Sequence, residues 1–273
     1  MQIRDLSNTP FNDIMVCFFQ AFHDYYVDLF KDHGYYEERW RMAKVQYDLS
    51  FGVFHHGNLV GFVLHAIDTR DGLLTAYNAC TGVLPEYRGQ KLIHSIYDHS
   101  IPIFKANGIK RCTLEVITEN IRAIKTYTSI GFRTTKLFHC FSGNLNGVQV
   151  QDQEIREVEF DVKSLMSHSS QQWYSWENHV RALARGNFRA FEIHVNNQVE
   201  SFFIMAPTGG YVAQIEVMTD NILAWDRLFS IMSRHSAHIK INNVDSRLSD
   251  KITHLLKAGL QNKLNQFEME MTL

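Results

Sequence analysis

The segment Thr81-Gly82-Val83-Leu84-Pro85-Glu86-Tyr87-Arg88-Gly89-Gln90-Lys91-Leu92 constrains this chain more than any other. An apolar run over about Ala76–Leu84 is stopped by Pro85, and Leu92, Ile93, Ile96, Tyr97, Ile103 and Phe104 then recur at helical spacing, with a bend or break expected near Pro102. A strand that turns directly into a helix leaves the first helical N–H groups unpaired and aimed at one spot. The helix dipole favours negative charge there, so the spot suits a diphosphate. Arg88 adds a fixed positive charge, and Gly89 lets the backbone approach closely without a Cβ in the way.

About thirty residues on, Arg111–Val116 reads as a buried strand, and Asn120 opens a helix with Ala123, Ile124, Tyr127 and Ile130 on one face. Gly131 ends it as a C-cap. Positions seven apart on a helix differ by about 20° of rotation, so Asn120 and Tyr127 project from the same side and can line one groove. Each also has a plain structural role, Asn120 as an N-cap and Tyr127 as a half-buried core residue.

The rest of this half fits around those motifs. Phe11, Ile14, Met15, Phe18, Phe19 and Phe22 share one helical face, with Ser7-Asn8-Thr9 supplying cap oxygens and Pro10 at a first helical position. A second helix is expected over Glu37–Asp48. Phe51–Phe54 and Leu59–Ile67 flank His55-His56-Gly57-Asn58, a hairpin in which Gly57 and Asn58 tolerate positive φ. The two histidines lack a third ligand at metal spacing and read as a solvated turn. With a strand over about Arg133–Phe141, the order is β-α-α-β-β-β-α-β-α-β, a mixed sheet carrying helices.

Val-Leu-Pro-Glu-Tyr-Arg-Gly-Gln before a helix, then Leu-Glu-Val on a strand, then Asn120, Ala123, Tyr127, Gly131 and Phe132 at their spacing, resembles the GNAT superfamily of N-acetyltransferases. The resemblance covers Phe51–Phe141 and extends to most of residues 1–142. It implies acetyl-coenzyme A as co-substrate and a primary amine, small molecule or peptide, as acceptor. Backbone near Val83 and Leu84 would pair with the pantetheine arm. The amides from Arg88 through Gly89, Gln90, Lys91 and Leu92 to Ile93 would hold the pyrophosphate. Asn120 would bond pantetheine, and Tyr127 would protonate the leaving thiolate.

Two departures stand out. The family turn runs R/Q-x-x-G-x-G/A, and here Lys91 and Ile93 replace both later glycines. Lys91 adds a Cβ that could crowd the phosphates but also a cation, and a helical φ there would not require glycine. The strand Ala76–Leu84 carries no Asp or Glu, so the position of a general base is vacant, and Glu115 on the neighbouring strand is the nearest alternative. Cys80 on the same strand reads as a structural thiol.

The chain has 273 residues, enough for two modest domains. Gly143–Gln153 is polar and rich in Gly, Asn and Gln, which sets an N-terminal domain at 1–143, a linker at 144–153 and a second domain at 154–273. In the second, a helix is expected over Trp173–Arg185, strands at Phe191–Val195, Val199–Ala206 and Tyr211–Val217, helices at Ile222–Ser233 and Ser246–Ala258, and a last strand at Leu264–Thr272. Ile239–Ile241, a helix and Ala258-Gly259-Leu260 repeat the order of the first half in degenerate form. The fold class is therefore α/β (α+β), two tandem GNAT-like domains, each a mixed, mostly antiparallel twisted sheet flanked by helices. The second domain has Met218-Thr219-Asp220-Asn221 where the first has its turn, with Asp220 expected to cap the next helix, and no Asn or Tyr counterpart near Leu248 and Leu255. Catalysis is thus expected from the first domain alone.

Twenty-seven basic against 29 acidic side chains, for a net charge of -2, give no broad field for a polyanion, which disfavours nucleic acid and acidic membranes. Cys17, Cys80, Cys112 and Cys140 lie far apart with no metal spacing, and neither a signal peptide nor a bilayer-length apolar stretch is seen, so no metal and a cytoplasmic location are expected, as monomer or homodimer. The competing expectation is a non-catalytic acyl-coenzyme A-binding or regulatory protein whose site Lys91 and Ile93 have eroded.

Overall fold

The computed structural model describes residues 1–27, 29–146, 154–166 and 168–273. The linker expected at 144–153 lies outside the described residues from 147 onward. The chain forms two compact units, Met1–Thr135 with Glu268–Leu273, and Lys136–Phe267. The first therefore ends before residue 143 and takes back the last six residues of the chain.

In the first unit, β1 (Gln2–Asp5), β2 (Phe51–His55), β3 (Asn58–Arg70), β4 (Leu73–Val83) and β5 (Arg111–Ile117) lie side by side in that order. All pairs are antiparallel except β4 with β5, which run parallel. Helices α1 (Phe11–Ala21), α2 (His33–Ala43), α3 (Leu92–Ala106) and α4 (Ile121–Ile130) cover the sheet. Thr135 and Glu268–Leu273 close the unit, with Leu273 N donating to Lys110 O and Arg111 Nη1 3.3 Å from Glu270 Oε2.

Local chemistry moved several element ends. Pro10 is itself the N-cap of α1, and the Ser7-Asn8-Thr9 side chains cap nothing there, because Ser7 turns back to Asp5. The second helix starts earlier than Glu37, since Asp32 caps it through Gly34 N at 2.9 Å, and Lys44 in the left-handed region ends it. In the 55–58 hairpin the positive φ angles fall on His56 and Gly57, not Asn58. Helix α3 continues through Pro102, and both Pro102 and Asp98, whose carbonyl loses its helical donor, are exposed residues.

The second unit holds β6 (Arg133–Asn144) from Lys136 onward, β7 (Glu154–Val158), β8 (Arg189–Val195), β9 (Gln198–Met205), β10 (Val212–Val217), β11 (His238–Asp245) and β12 (Gln261–Thr272) up to Phe267. Strands β7 to β10 form an antiparallel sheet in the order β10-β9-β8-β7. Helices are α5 (Val162–Met166), α6 (Val180–Leu183), α7 (Ala224–His235) and α8 (Ser249–Lys257). The helix expected over Trp173–Arg185 does not form. A 3₁₀ turn at Ser169–Trp173 and the single turn of α6 replace it, because Gln171 Oε1 accepts from Val180 N and Asn178 Nδ2 donates to Asn242 O. Such side-chain bonds to backbone compete with helix. The sequence β8-β9-β10-α7-β11-α8-β12 nonetheless repeats β2-β3-β4-α3-β5-α4-β6 element for element.

His65 on β3 is fully buried in the first unit, with Nδ1 donating to Leu49 O at 3.0 Å and Nε2 unpartnered. Burial pushes its pKa down to about 3, against a hydrogen bond that pulls the other way. A histidine whose folded value lies below its unfolded one binds fewer protons in the native state, so stability present above about pH 6.5 is lost as pH falls toward 3. Denaturant midpoints measured across that window should decline, and the decline should flatten in His65→Gln; an unchanged slope in the variant would assign the acid loss elsewhere.

Candidate active site

The site is built on a parting of two strands. The β4–β5 ladder runs from Thr75↔Arg111 to Asn78↔Leu114 and stops, while β4 continues to Val83 and β5 to Ile117. On its other side β4 stays paired with β3, but the register jumps from His65↔Asn78 to Leu64↔Cys80, leaving Ala79 as a one-residue bulge. Bulges re-aim the side chains around them. Asn78 is thereby set against α3 and α4, with Nδ2 at 3.0 Å from Tyr97 Oη and 3.3 Å from Tyr127 Oη. Beyond the bulge, a Cβ on Gly82 would lie 3.1 Å from Ala21 Cβ of α1.

Tyr127 is buried, its ring packed edge-on to Phe132. Burial raises its pKa, and the Thr81 hydroxyl and Asn78 amide oppose the rise, with the Cys80 thiol close by. Tyr25, just past α1, is brought to the same place. Burial pushes its phenol up to about 12, Cys80, Tyr127 and Tyr26 add to the shift, and a hydrogen bond with Asn120 counters it. Tyr26 donates to Glu119 O at 3.4 Å. Tyr25 and Tyr26 carried no sequence signal, since their proximity joins residues almost a hundred positions apart.

At the turn, Pro85–Tyr87 forms a 3₁₀ turn and α3 starts at Leu92 without a side-chain cap. The first-turn amides of a fifteen-residue helix are thus left for a ligand. Gly89 has φ +82°. Lys91 is the N-cap with φ 58° and ψ 26°, left-handed rather than helical, so the expectation that this position makes no demand for glycine is corrected. Its Cβ is held where L residues are disfavoured by roughly 1–2 kcal/mol.

The Arg88 guanidinium is not aimed at the turn. It holds Asp24 through Nη1 and Nη2, both at 2.8 Å, and donates to Ala21 O and Val83 O, tying the end of α1 to the end of β4. The paired guanidinium holds the exposed Asp24 carboxyl at about 2. Besides Lys91, a cation at the turn is Arg122, in the first turn of α4, whose Nη2 lies 3.7 Å from the position a Gly89 Cβ would occupy. Sequence reasoning missed it; its place two residues after Asn120 was the available signal.

Asn120 caps α4, its Oδ1 accepting from Ala123 N at 3.1 Å. Glu115 is half-buried just past the end of the β4–β5 ladder and contributes to the field on Arg70, beside Asp71 and Glu268. The Tyr127 hydroxyl is hydrogen-bonded to Thr81 and Asn78. Val83, Leu84, Gly89, Gln90, Leu92 and Ile93 line the strand end and turn as their sequence order requires. Among the described residues no group of His, Cys, Asp or Glu could hold a metal, the four cysteines form no disulfide, and no helix is long and apolar enough to cross a membrane.

The corresponding part of the second unit differs in chemistry. Asp220 does not cap α7; Asn221 Oδ1 accepts from Leu223 N at 3.1 Å, and Asn221 Nδ2 reaches Glu200. Glu200 is buried in a two-pronged pair with Arg227, one prong at 2.7 Å. On α8, Lys251 stands three residues after Leu248, as Ala123 does after Asn120. Its Nζ is buried on Ile215 O at 2.9 Å and Glu216 Oε1 at 3.0 Å, at the end of β10.

Residues 12–132 match the acetyltransferase (GNAT) family. That stretch of the chain is a GNAT domain. The chain is 29% identical over 101 residues to N-alpha-acetyltransferase MAK3 of Arabidopsis thaliana, an alignment covering 37% of this chain and 52% of that protein. It thus spans about half the length of that relative. Solved structures share the fold along the whole chain. A tandem GNAT protein from the clavulanic acid biosynthesis pathway is 10% identical with TM-score 0.69, covering 99% of this chain and 98% of its own. A GCN5-related N-acetyltransferase from Sphaerobacter thermophilus is 10% identical with TM-score 0.67, covering 99% and 95%. The GNAT fold is therefore present in tandem form, with mostly antiparallel sheets flanked by helices.

Replacing Lys91 by glycine removes a left-handed L residue from an exposed helix start. Equilibrium unfolding should show the variant more stable by about 1 kcal/mol, less the greater chain entropy of glycine. A loss of stability would show that the Lys91 side chain makes a compensating contact.

Proposed function

We propose that this protein is an acetyl-coenzyme A-dependent N-acetyltransferase acting on a primary amine through its first unit. The observation that carries the reading is the parting of β4 and β5 beside the Tyr127 hydroxyl, above the uncapped start of α3. The residues fit the co-substrate. The amides from Gly89 to Ile93 and the Arg122 guanidinium suit its diphosphate, and the backbone of β4 past Asn78, through Val83, offers groups to an amide-bearing arm. Asn120 borders the same groove.

Bound there, the co-substrate supplies an activated acetyl thioester. Tyr127 gives its phenolic proton to the sulfur as the C–S bond breaks and the C–N bond forms, and the acceptor nitrogen loses its own proton to water. In the second unit, the Lys251–Glu216 pair occupies the end of β10 and the Glu200–Arg227 pair underlies the turn, so no cofactor role is assigned to it.

Calorimetric titration of acetyl-coenzyme A into wild type, Arg122→Ala and Tyr127→Phe tests this directly. Micromolar binding is expected for wild type and Tyr127→Phe, weakened about tenfold, or roughly 1.4 kcal/mol, in Arg122→Ala. Thiol release with a peptide α-amine, a polyamine, an amino sugar and an arylalkylamine should fall by about a hundredfold or more in Tyr127→Phe. Absence of wild-type binding would end the reading; binding without turnover of any amine would favour an acyl-coenzyme A-binding protein.

A further inference from the structure

Asn78 is a buried amide at the one-residue bulge of β4, and no motif singles it out. Its Nδ2 faces three hydroxyl oxygens, Thr81 Oγ1 at 2.8 Å, Tyr97 Oη at 3.0 Å and Tyr127 Oη at 3.3 Å, while its Oδ1 accepts from Thr81 Oγ1 at 2.9 Å. The hydrogens can be apportioned. Thr81 has one proton, and once it is given to Oδ1, the two amide hydrogens are left for Tyr97 and Tyr127. A phenol oxygen that accepts from an amide keeps its own proton pointed elsewhere; the Thr81 hydroxyl, which also bonds Tyr127, is one neighbour for that proton, and β4 and β5 are unpaired beyond Asn78.

We propose that Asn78 is a positioning residue for proton delivery: by donating to the Tyr127 oxygen it holds the phenolic proton toward the sulfur and steadies the phenolate left when that proton departs. The inference rests on the acid role given to Tyr127 above. Two features favour donation over the reversed amide. The Oδ1 already has the Thr81 hydroxyl as donor, and the Tyr97 ring, fixed against Phe132 and His65, presents its oxygen to the same Nδ2. The Thr81 hydroxyl and, after it, the amide oppose the rise that burial imposes on the Tyr127 phenol, the direction a proton donor to a thiolate requires.

The test is polarity rather than size. Asn78→Asp keeps the shape but offers an acceptor, which would capture the Tyr127 proton; Asn78→Leu removes the amide and offers neither donor nor acceptor to the three hydroxyls. With the four amines named above, kcat should fall about tenfold or more in both variants, with the KM for acetyl-coenzyme A within about threefold of wild type. A reversed amide predicts instead that the aspartate variant works and the leucine variant does not, and that outcome overturns the proposal, as does unchanged kcat in both. Retained turnover in Tyr127→Phe would instead sink the acid role itself. Independently of any acceptor, spectra of protein carrying [13Cζ]tyrosine, with Tyr127 identified by its loss in Tyr127→Phe, should show that resonance displaced downfield in Asn78→Asp. A Tyr127 resonance that is the same in wild type and both variants overturns the proposal even if no amine is turned over.

Discussion

One extra residue in β4 organises the first unit. In an unbroken strand, residues four apart share a face, so Asn78 and Gly82 would look toward the same helices. The bulge at Ala79 breaks that period, and Asn78 meets Tyr97 and Tyr127 of α3 and α4 whereas Gly82 is pressed against Ala21 of α1. The parallel ladder to β5 ends at the same residue. A local defect in pairing thus frees a strand edge and places a polar network beside it.

The ends of that edge are held by long-range contacts. Arg88 binds Asp24, Ala21 O and Val83 O, so the connection after α1 is tied to the start of the turn. Tyr25 then lies against Asn120 and near Tyr127. Such an arrangement explains why an arginine next to a helix start need not serve an anion. A guanidinium satisfied two-prong by a carboxylate gains little from a phosphate, whereas Arg122 in the first turn of α4 has no ion-pair partner among the described residues.

Elements whose signals are local were legible in the sequence. Periodicity gave the α1 face, Asn120 and Gly131 bounded α4, and the strand-turn-helix order gave the family. Signals that depend on distant partners were not. The Arg88–Asp24 pair spans 64 positions, and the Asn78 network joins three elements, β4, α3 and α4. The helix expected over Trp173–Arg185 failed for the same reason, because Gln171 and Asn178 bond backbone that the local pattern does not contain. Lys91 failed differently: a left-handed angle is invisible unless a glycine marks it, and here lysine occupies it.

The second unit shows that element order and site chemistry are separable. It repeats the strands and helices of the first, yet a buried lysine on α8 meets the end of β10 and the buried Glu200–Arg227 ion pair underlies the turn before α7. Removing Lys251 from water is costly, and burial pushes its ammonium down, so the Glu216 carboxylate and the Ile215 carbonyl must compensate. That compensation uses a backbone acceptor at the strand end, where β4 of the first unit runs on past its last pairing with β5. A fold can therefore lose a site without losing an element, by filling its polar edge from within.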